Sequence, residues 1–183
     1  MLHRKHWILI LLTPGVIIAD QVTKTLAQLA LDGGNIVTVV PRYLDMVLVQ
    51  NRGIAFGLLN NLESSWRTPI FIGISAIAIF IIFHLFRQTR AKALFLPVAL
   101  SLILAGAAGN LIDRFRWGYV VDFINMHYHQ YYWPTFNLAD TAITIGIIIL
   151  ILDTIFAPGP MPDEEEETVA EDIPPEEWTE EAD

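Results

Sequence analysis

Apolar residues dominate four blocks of this chain, at about residues 7–29, 68–86, 93–112 and 136–156. A helix of about twenty residues is roughly 30 Å long, which matches the hydrocarbon depth of a bilayer. The pattern therefore predicts four transmembrane helices, with both chain ends on one side. Pro14 and Gly15 interrupt the first block, where a packed membrane bundle tolerates a kink. Pro69 falls at the favourable first turn of the second.

The first block follows a short basic start, MLHRKH. A secretory signal peptide has that outline, but this run passes through Asp20 and Lys24 and lacks a small-residue cleavage site. A retained first helix is expected.

Between the first two blocks the pattern changes. NIVTVV and YLDMVLVQ are rich in β-branched residues, the turn PRY separates them, and NRGIAFGLLN follows with mixed polarity. That predicts a small antiparallel flap at about residues 35–57, outside the membrane. The expected fold class is thus membrane α-helical: four transmembrane helices, with a β-rich extracytoplasmic flap between helices 1 and 2. LLNNLESSWR, residues 58–67, reads either as a short interfacial helix or as plain loop.

Polar residues inside the apolar blocks collect at one level. Counting from Trp7, Asp20 lies about 20 Å along its helix and Lys24 near the outer end. Being four apart, they share a face and can pair. Asn110 and Asp113 fall in the outer third of the third block, and Asp140 lies about 6 Å into the fourth. Gly106, Ala107, Ala108 and Gly109 allow a neighbouring helix to approach closely. An aspartate at a helix centre costs about 2.5–3.5 kcal/mol on insertion scales, less toward the interface. A cluster at that cost reads as functional, although Asp20–Lys24 and Asp113–Arg114 ion pairs that merely hold the bundle would also use these residues.

Composition changes this picture in two ways. Of twenty acidic residues, twelve lie from Pro158 onward in a segment with no basic residue, so a net charge of −9 becomes +3 without it. The acidity belongs to a tail, 158–183, expected to be disordered, and the working domain is expected to span 1–157. The absence of cysteine excludes disulfides, thiolate metal sites and a cysteine nucleophile.

Basic residues set the expected orientation. Arg4, Lys5, Arg87, Arg90 and Lys92 lie on the side of the chain ends, and Arg42, Arg52, Arg67, Arg114 and Arg116 lie opposite. The first set crowds into two very short segments against span ends, which favours cytoplasmic termini.

The residues also prune the chemistry. None of the five histidines lies in HExxH, and His127 and His129 sit among Tyr128, Tyr131, Tyr132 and Trp133 as in an interfacial aromatic belt. No metal site is expected. There is no GxSxG, and no serine has an evident lysine or histidine partner. Carboxylates remain. Two held close together do not both ionise easily, so one keeps a proton while the other stays charged, the division of labour that acid–base hydrolysis needs. Asp122, in VVDF, and Asp140, in FNLAD, are the candidate pair. A small transporter or proton channel would also place carboxylates in a membrane, but here they gather at one face and no half-to-half repeat is visible.

DQVTK (20–24), NRGIAF (51–56), GAAGNLIDR (106–114), VVDF (120–123) and FNLAD (136–140), in that order, together resemble the lipoprotein signal peptidase (signal peptidase II) family, over about residues 5–156. The resemblance implies an aspartic endopeptidase of the bacterial inner membrane that cleaves prolipoproteins before a diacylglyceryl-modified cysteine. It implies Asp122 and Asp140 as the catalytic pair, supported by Asp20, Lys24, Asn51, Gly53, Asn110, Asp113, Arg114 and Asn137. No cofactor is expected. The expected partners are diacylglyceryl-modified prolipoproteins and membrane lipid, without nucleic acid, for a monomer whose active site lies near the outer leaflet.

Overall fold

A computed structural model describes residues 3–53, 64–89 and 94–156. Four helices carry the chain: α1, Arg4–Ala30; α2, Ser64–Gln88; α3, Phe95–Trp117; and α4, Leu138–Phe156. Each contains a window long and apolar enough to cross a membrane. Many of their large apolar side chains face outward, among them Leu11, Ile77, Phe80, Ile148 and Phe156. An outer face of that kind suits a lipid surround. The acidic tail and residues 54–63 lie outside the described residues.

Helix α3 is the axis of the bundle. Its buried positions include Ala99, Leu100, Ala105, Gly106, Gly109, Asn110 and Asp113, and α1, α2 and α4 all pack on it. Small residues make that approach possible. A Cβ on Gly106 would collide with the Ala139 carbonyl oxygen, and one on Gly146 would lie 2.6 Å from the Ile103 side chain. The α3–α4 seam is therefore a backbone-to-backbone contact of the small-residue kind. Pro14 lies inside α1 without ending it.

The chain's two sides are chemically distinct. At one, Lys5 donates to the carbonyls of Arg87 and Thr89, tying the start of α1 to the end of α2. At the other lies a four-stranded antiparallel sheet in the order β1 (Val37–Val40), β2 (Leu44–Asn51), β3 (Val120–Tyr128) and β4 (Tyr131–Tyr132). Two strands come from the connection between α1 and α2, as the β-branched runs predict. The other two come from the connection between α3 and α4, which reads from the sequence as an aromatic loop. Phe123 closes the underside of the sheet against Ala27 and Leu31 at the end of α1.

Register within this sheet matters for the site. Leu44, Asp45 and Met46 of β2 oppose Met126, Asn125 and Ile124, but Val49 opposes Asp122 and Asn51 opposes Val120. Between Met46 and Val49 β2 therefore carries one residue more than β3, a bulge. Side chains alternate faces along a strand, so the extra residue moves Asn51 to the same face as Asp122. Gly118, at φ 76°, ends α3 and returns its N–H to the Arg114 carbonyl at 3.0 Å. That left-handed cap turns the chain sharply into β3.

Candidate active site

Asp122 enters on β3 and Asp140 in the first turn of α4, and one asparagine joins them. Asn137 is the N-cap residue of α4. Its Oδ1 accepts from the Asp140 N–H at 3.0 Å, while the Asp140 Oδ2 accepts from the Asn137 N–H at 3.3 Å. This reciprocal capping box satisfies donors that a helix start otherwise leaves orphaned. The Asn137 side-chain amide also donates to Asp122 Oδ1 at 2.7 Å.

Each carboxylate has a second amide. Asn51 donates to Asp122 Oδ2 at 2.9 Å, across the bulged β2–β3 ladder, and Asn110 donates to Asp140 Oδ1 at 2.7 Å. The Asn110 Oδ1 accepts from Lys24 at 3.0 Å and Asn137 at 3.2 Å. Its two ends are thus assigned by their neighbours, with oxygen toward donors and nitrogen toward Asp140.

Behind this layer Lys24 sits between Asp20, at 2.9 Å, and Asp113, at 2.8 Å, and all three are buried. Both aspartates also hold backbone. Asp20 accepts from the Ala139 N–H of α4 at 2.9 Å, and Asp113 from the Val121 N–H of β3 at 3.1 Å. Buried charges are tolerated when paired and fully hydrogen-bonded. These two therefore fix the segments on which Asp140 and Asp122 are mounted.

The Asp113–Arg114 pair offered by the sequence does not form; Asp113 pairs with Lys24 instead. Adjacent helix residues project about 100° apart, and Arg114 leaves toward α2. It lies 5.4 Å from the Phe71 ring centroid and donates to Ser75 Oγ at 3.4 Å and to the Asn110 carbonyl at 3.3 Å. Gly53 closes the same side. At φ 79° it donates to Asn51 Oδ1 at 2.8 Å, and a Cβ there would collide with the Phe71 ring.

Gln21 belongs to the site although the sequence pattern does not single it out. Its side-chain amide donates to Asp113 Oδ1 at 2.9 Å and Asp20 Oδ2 at 3.2 Å. Its place beside Asp20 in DQVTK is the one signal that points to it.

Electrostatics separates Asp122 from an ordinary surface carboxylate. Burial pushes it up to about 6; Asp140 adds to the rise, and the amides of Asn51 and Asn137 oppose it. A hollow of about 720 Å³ opens beside Asp140, lined by Asp140, Thr141 and Thr144 of α4, by Tyr43 just before β2, and by Tyr132 and Trp133 of the β3–β4 hairpin. Among the described residues, no three His, Cys, Asp or Glu side chains converge as a metal site.

A polar site at one end of a four-helix membrane bundle has counterparts among known proteins. Residues 12–156 match the family described as signal peptidase (SPase) II. The chain belongs to the signal peptidase II family. It is a membrane peptidase of bacterial type. It is 44% identical over 145 residues to a lipoprotein signal peptidase of Syntrophotalea carbinolica, a match covering 79% of this chain and 89% of that one. To the lipoprotein signal peptidase of Acinetobacter baylyi it is 46% identical over 141 residues, covering 76% and 77%. Its fold is similar to that of a bacterial membrane enzyme solved by the in meso method, with TM-score 0.72 and 35% identity over 82% of this chain and 94% of that one. A second such structure gives TM-score 0.70 at 34% identity, covering 84% and 93%.

Proposed function

We propose that this signal peptidase II family member removes signal peptides from prolipoproteins, cutting before a diacylglyceryl-modified cysteine, and that Asp122 and Asp140 activate the water. The observation that carries the reading is the Asn137 bridge. One residue hydrogen-bonds both carboxylates, and their remaining oxygens each meet a further amide rather than a cation. Neutral amides thus hold both acidic groups in place.

With one carboxyl protonated and the other charged, hydrolysis follows. The charged carboxylate takes a proton from water as its oxygen attacks the scissile carbonyl carbon. The protonated carboxyl gives its proton to the carbonyl oxygen, forming a neutral tetrahedral diol. On collapse the first carboxyl gives its new proton to the departing amide nitrogen, the C–N bond breaks, and a diol hydroxyl returns its proton to the second carboxylate. Asn51, Asn110 and Asn137 orient the pair. Lys24, Asp20 and Asp113 position those amides and the backbone beneath them. Arg114 and Gly53 shape the side facing α2.

Placement accords with this activity. The aromatic side chains around the hollow suit a membrane interface, and the crowded basic residues near the chain ends favour cytoplasmic termini. The site then lies near the outer leaflet of the inner membrane, at the depth of a lipid-bearing cysteine. The working form is a monomer in contact with lipid, without nucleic acid. The working domain is 1–157, with the acidic tail apart from it. The direct test offers purified protein in proteoliposomes a diacylglyceryl-modified precursor and its unmodified form. Cleavage of the modified form is expected. Equal cleavage of both, or of neither, would overturn the substrate assignment.

A further inference from the structure

A second hollow reaches the same turn of α4 from below. It has a volume of about 280 Å³ and lies between α1 and α4, lined by Leu11, Gly15 and Ala19 on one side, Thr141 and Ile145 on the other, and Leu102 behind. Thr141 and Ile145 also line the larger hollow beside Asp140, so the two openings meet at one helical turn. From Ala19, next to Asp20, to Leu11 is about 12 Å of helix, running from the level of the carboxylates into the hydrocarbon. The lining is apolar apart from Thr141, whose hydroxyl already donates to the Asn137 carbonyl at 3.0 Å.

Gly15 lines this hollow without a side chain. Glycine within a helix is disfavoured relative to alanine and needs a reason. At Gly106, Gly109 and Gly146 the reason is contact, since an added Cβ would lie within 3 Å of a neighbour. At Gly15 a Cβ would meet nothing within 4 Å. A side chain added there would project into the hollow and not against a neighbour.

We propose that this groove holds one acyl chain of the diacylglyceryl group on the substrate cysteine, and that Gly15 sets the room for it. The inference rests on the substrate class proposed above. Bilayer lipid is as apolar as the groove, so burial alone gives a free lipid tail no reason to prefer it. A tail tethered to a cysteine held beside Asp140 differs: tethering raises its effective concentration at the groove. The groove then fixes the lipidated cysteine against the carboxylates and distinguishes it from an unmodified one.

The test compares wild-type protein with Gly15→Leu in proteoliposomes, using precursors that carry long or short acyl chains on the cysteine. A leucine Cβ there meets nothing within 4 Å, so the side chain extends into the hollow, and leucine is the better helix former. The KM for the long-chain precursor is expected to rise at least about tenfold, the scale of a steric change in an apolar pocket. The kcat and the short-chain precursor should be little affected. Unchanged KM for both chain lengths, or an equal loss for both, would overturn the groove's role. A second arm uses wild-type protein and a long-chain precursor with a photoreactive group at the acyl terminus. Adducts on residues 11–19 or Ile145 are expected, whereas adducts only elsewhere, or equal labelling there by a photoreactive phospholipid, would overturn it. If wild-type protein cleaves neither precursor, the substrate assignment fails and takes the groove's occupant with it.

Discussion

Asn137 reaches Asp122 through a single hydrogen bond of 2.7 Å, between residues on different elements. The same asparagine caps the helix that bears Asp140. Replacing it with alanine removes the link without touching either carboxylate. The expected result for Asn137→Ala is a fall in kcat of about a hundredfold, the scale of losing one preorganised donor. A stability loss of about 1–3 kcal/mol should accompany it, from polar groups left unsatisfied. Steady-state cleavage and thermal unfolding in detergent measure the two effects separately; an unchanged kcat would remove Asn137 from the machinery.

Lys24 tests the buried layer beneath. Lys24→Met leaves Asp20 and Asp113 facing each other without a cation, and should lower stability by about 3–5 kcal/mol. Adding Asp20→Asn and Asp113→Asn removes the uncompensated charge and keeps oxygen acceptors for the Ala139 and Val121 amides. Most of the stability should return in the triple variant. Thermal unfolding of the single and triple variants decides it, and a triple variant no more stable than the single would contradict the pairing account.

At Gly53 the expectation is geometric. An alanine there collides with the Phe71 ring and must also hold φ near 79°, which costs a non-glycine residue about 1–2 kcal/mol. The turn must shift, and Asn51, hydrogen-bonded to the Gly53 N–H, shifts with it. Gly53→Ala should lower kcat about tenfold, comparable to losing one good hydrogen bond of about 1.4 kcal/mol. Adding Phe71→Ala relieves the clash but not the backbone strain, so recovery should be partial. Full recovery would mean that contact alone sets the requirement.

Asp122 gives stability a definite pH dependence. Its folded value of about 6 lies above the ordinary 3.8, so the folded protein binds this proton more tightly than the unfolded chain does. The contribution is fully present below the ordinary value and is lost as pH rises through about 6. Asp122→Asn removes the titration. It should stabilise the protein by up to about 3 kcal/mol above that window, since a tenfold difference in proton affinity is worth about 1.4 kcal/mol. Near pH 4 it should change little. Unfolding temperatures for the two proteins across that range provide the check. A constant difference between them would contradict the assigned burial of this carboxylate.

The sequence made the membrane helices legible because twenty-residue apolar runs answer to bilayer thickness alone. Asp20 and Lys24 were legible as a pair because helical spacing is local. Adjacency pairs Asp113 with Arg114, but the helix turns adjacent side chains apart and hands Asp113 to a lysine on another helix. Strand β3 was hidden because VVDFINMHY pairs with β2 residues some seventy to eighty positions away, and its period is blurred where one end is buried and the other faces the interface. The bulge between Met46 and Val49, which puts Asn51 on the face of Asp122, leaves no local mark. Asp122 and Asp140 themselves stood out through chemistry and family motifs, while their common link, Asn137, was visible only as a supporting residue. Its bridging role arises only where the fold sets β3 against the start of α4.

That Asp122 and Asp140 together activate water is tested most directly by separate Asp122→Asn and Asp140→Asn substitutions. Each purified variant is assayed on a diacylglyceryl-modified precursor beside the wild type, with unfolding measured on the same samples. Both variants should remain folded, and both should lose cleavage by at least about a thousandfold, as when one member of a catalytic unit is removed. A folded variant of either kind that still cuts at near wild-type rate would contradict the mechanism.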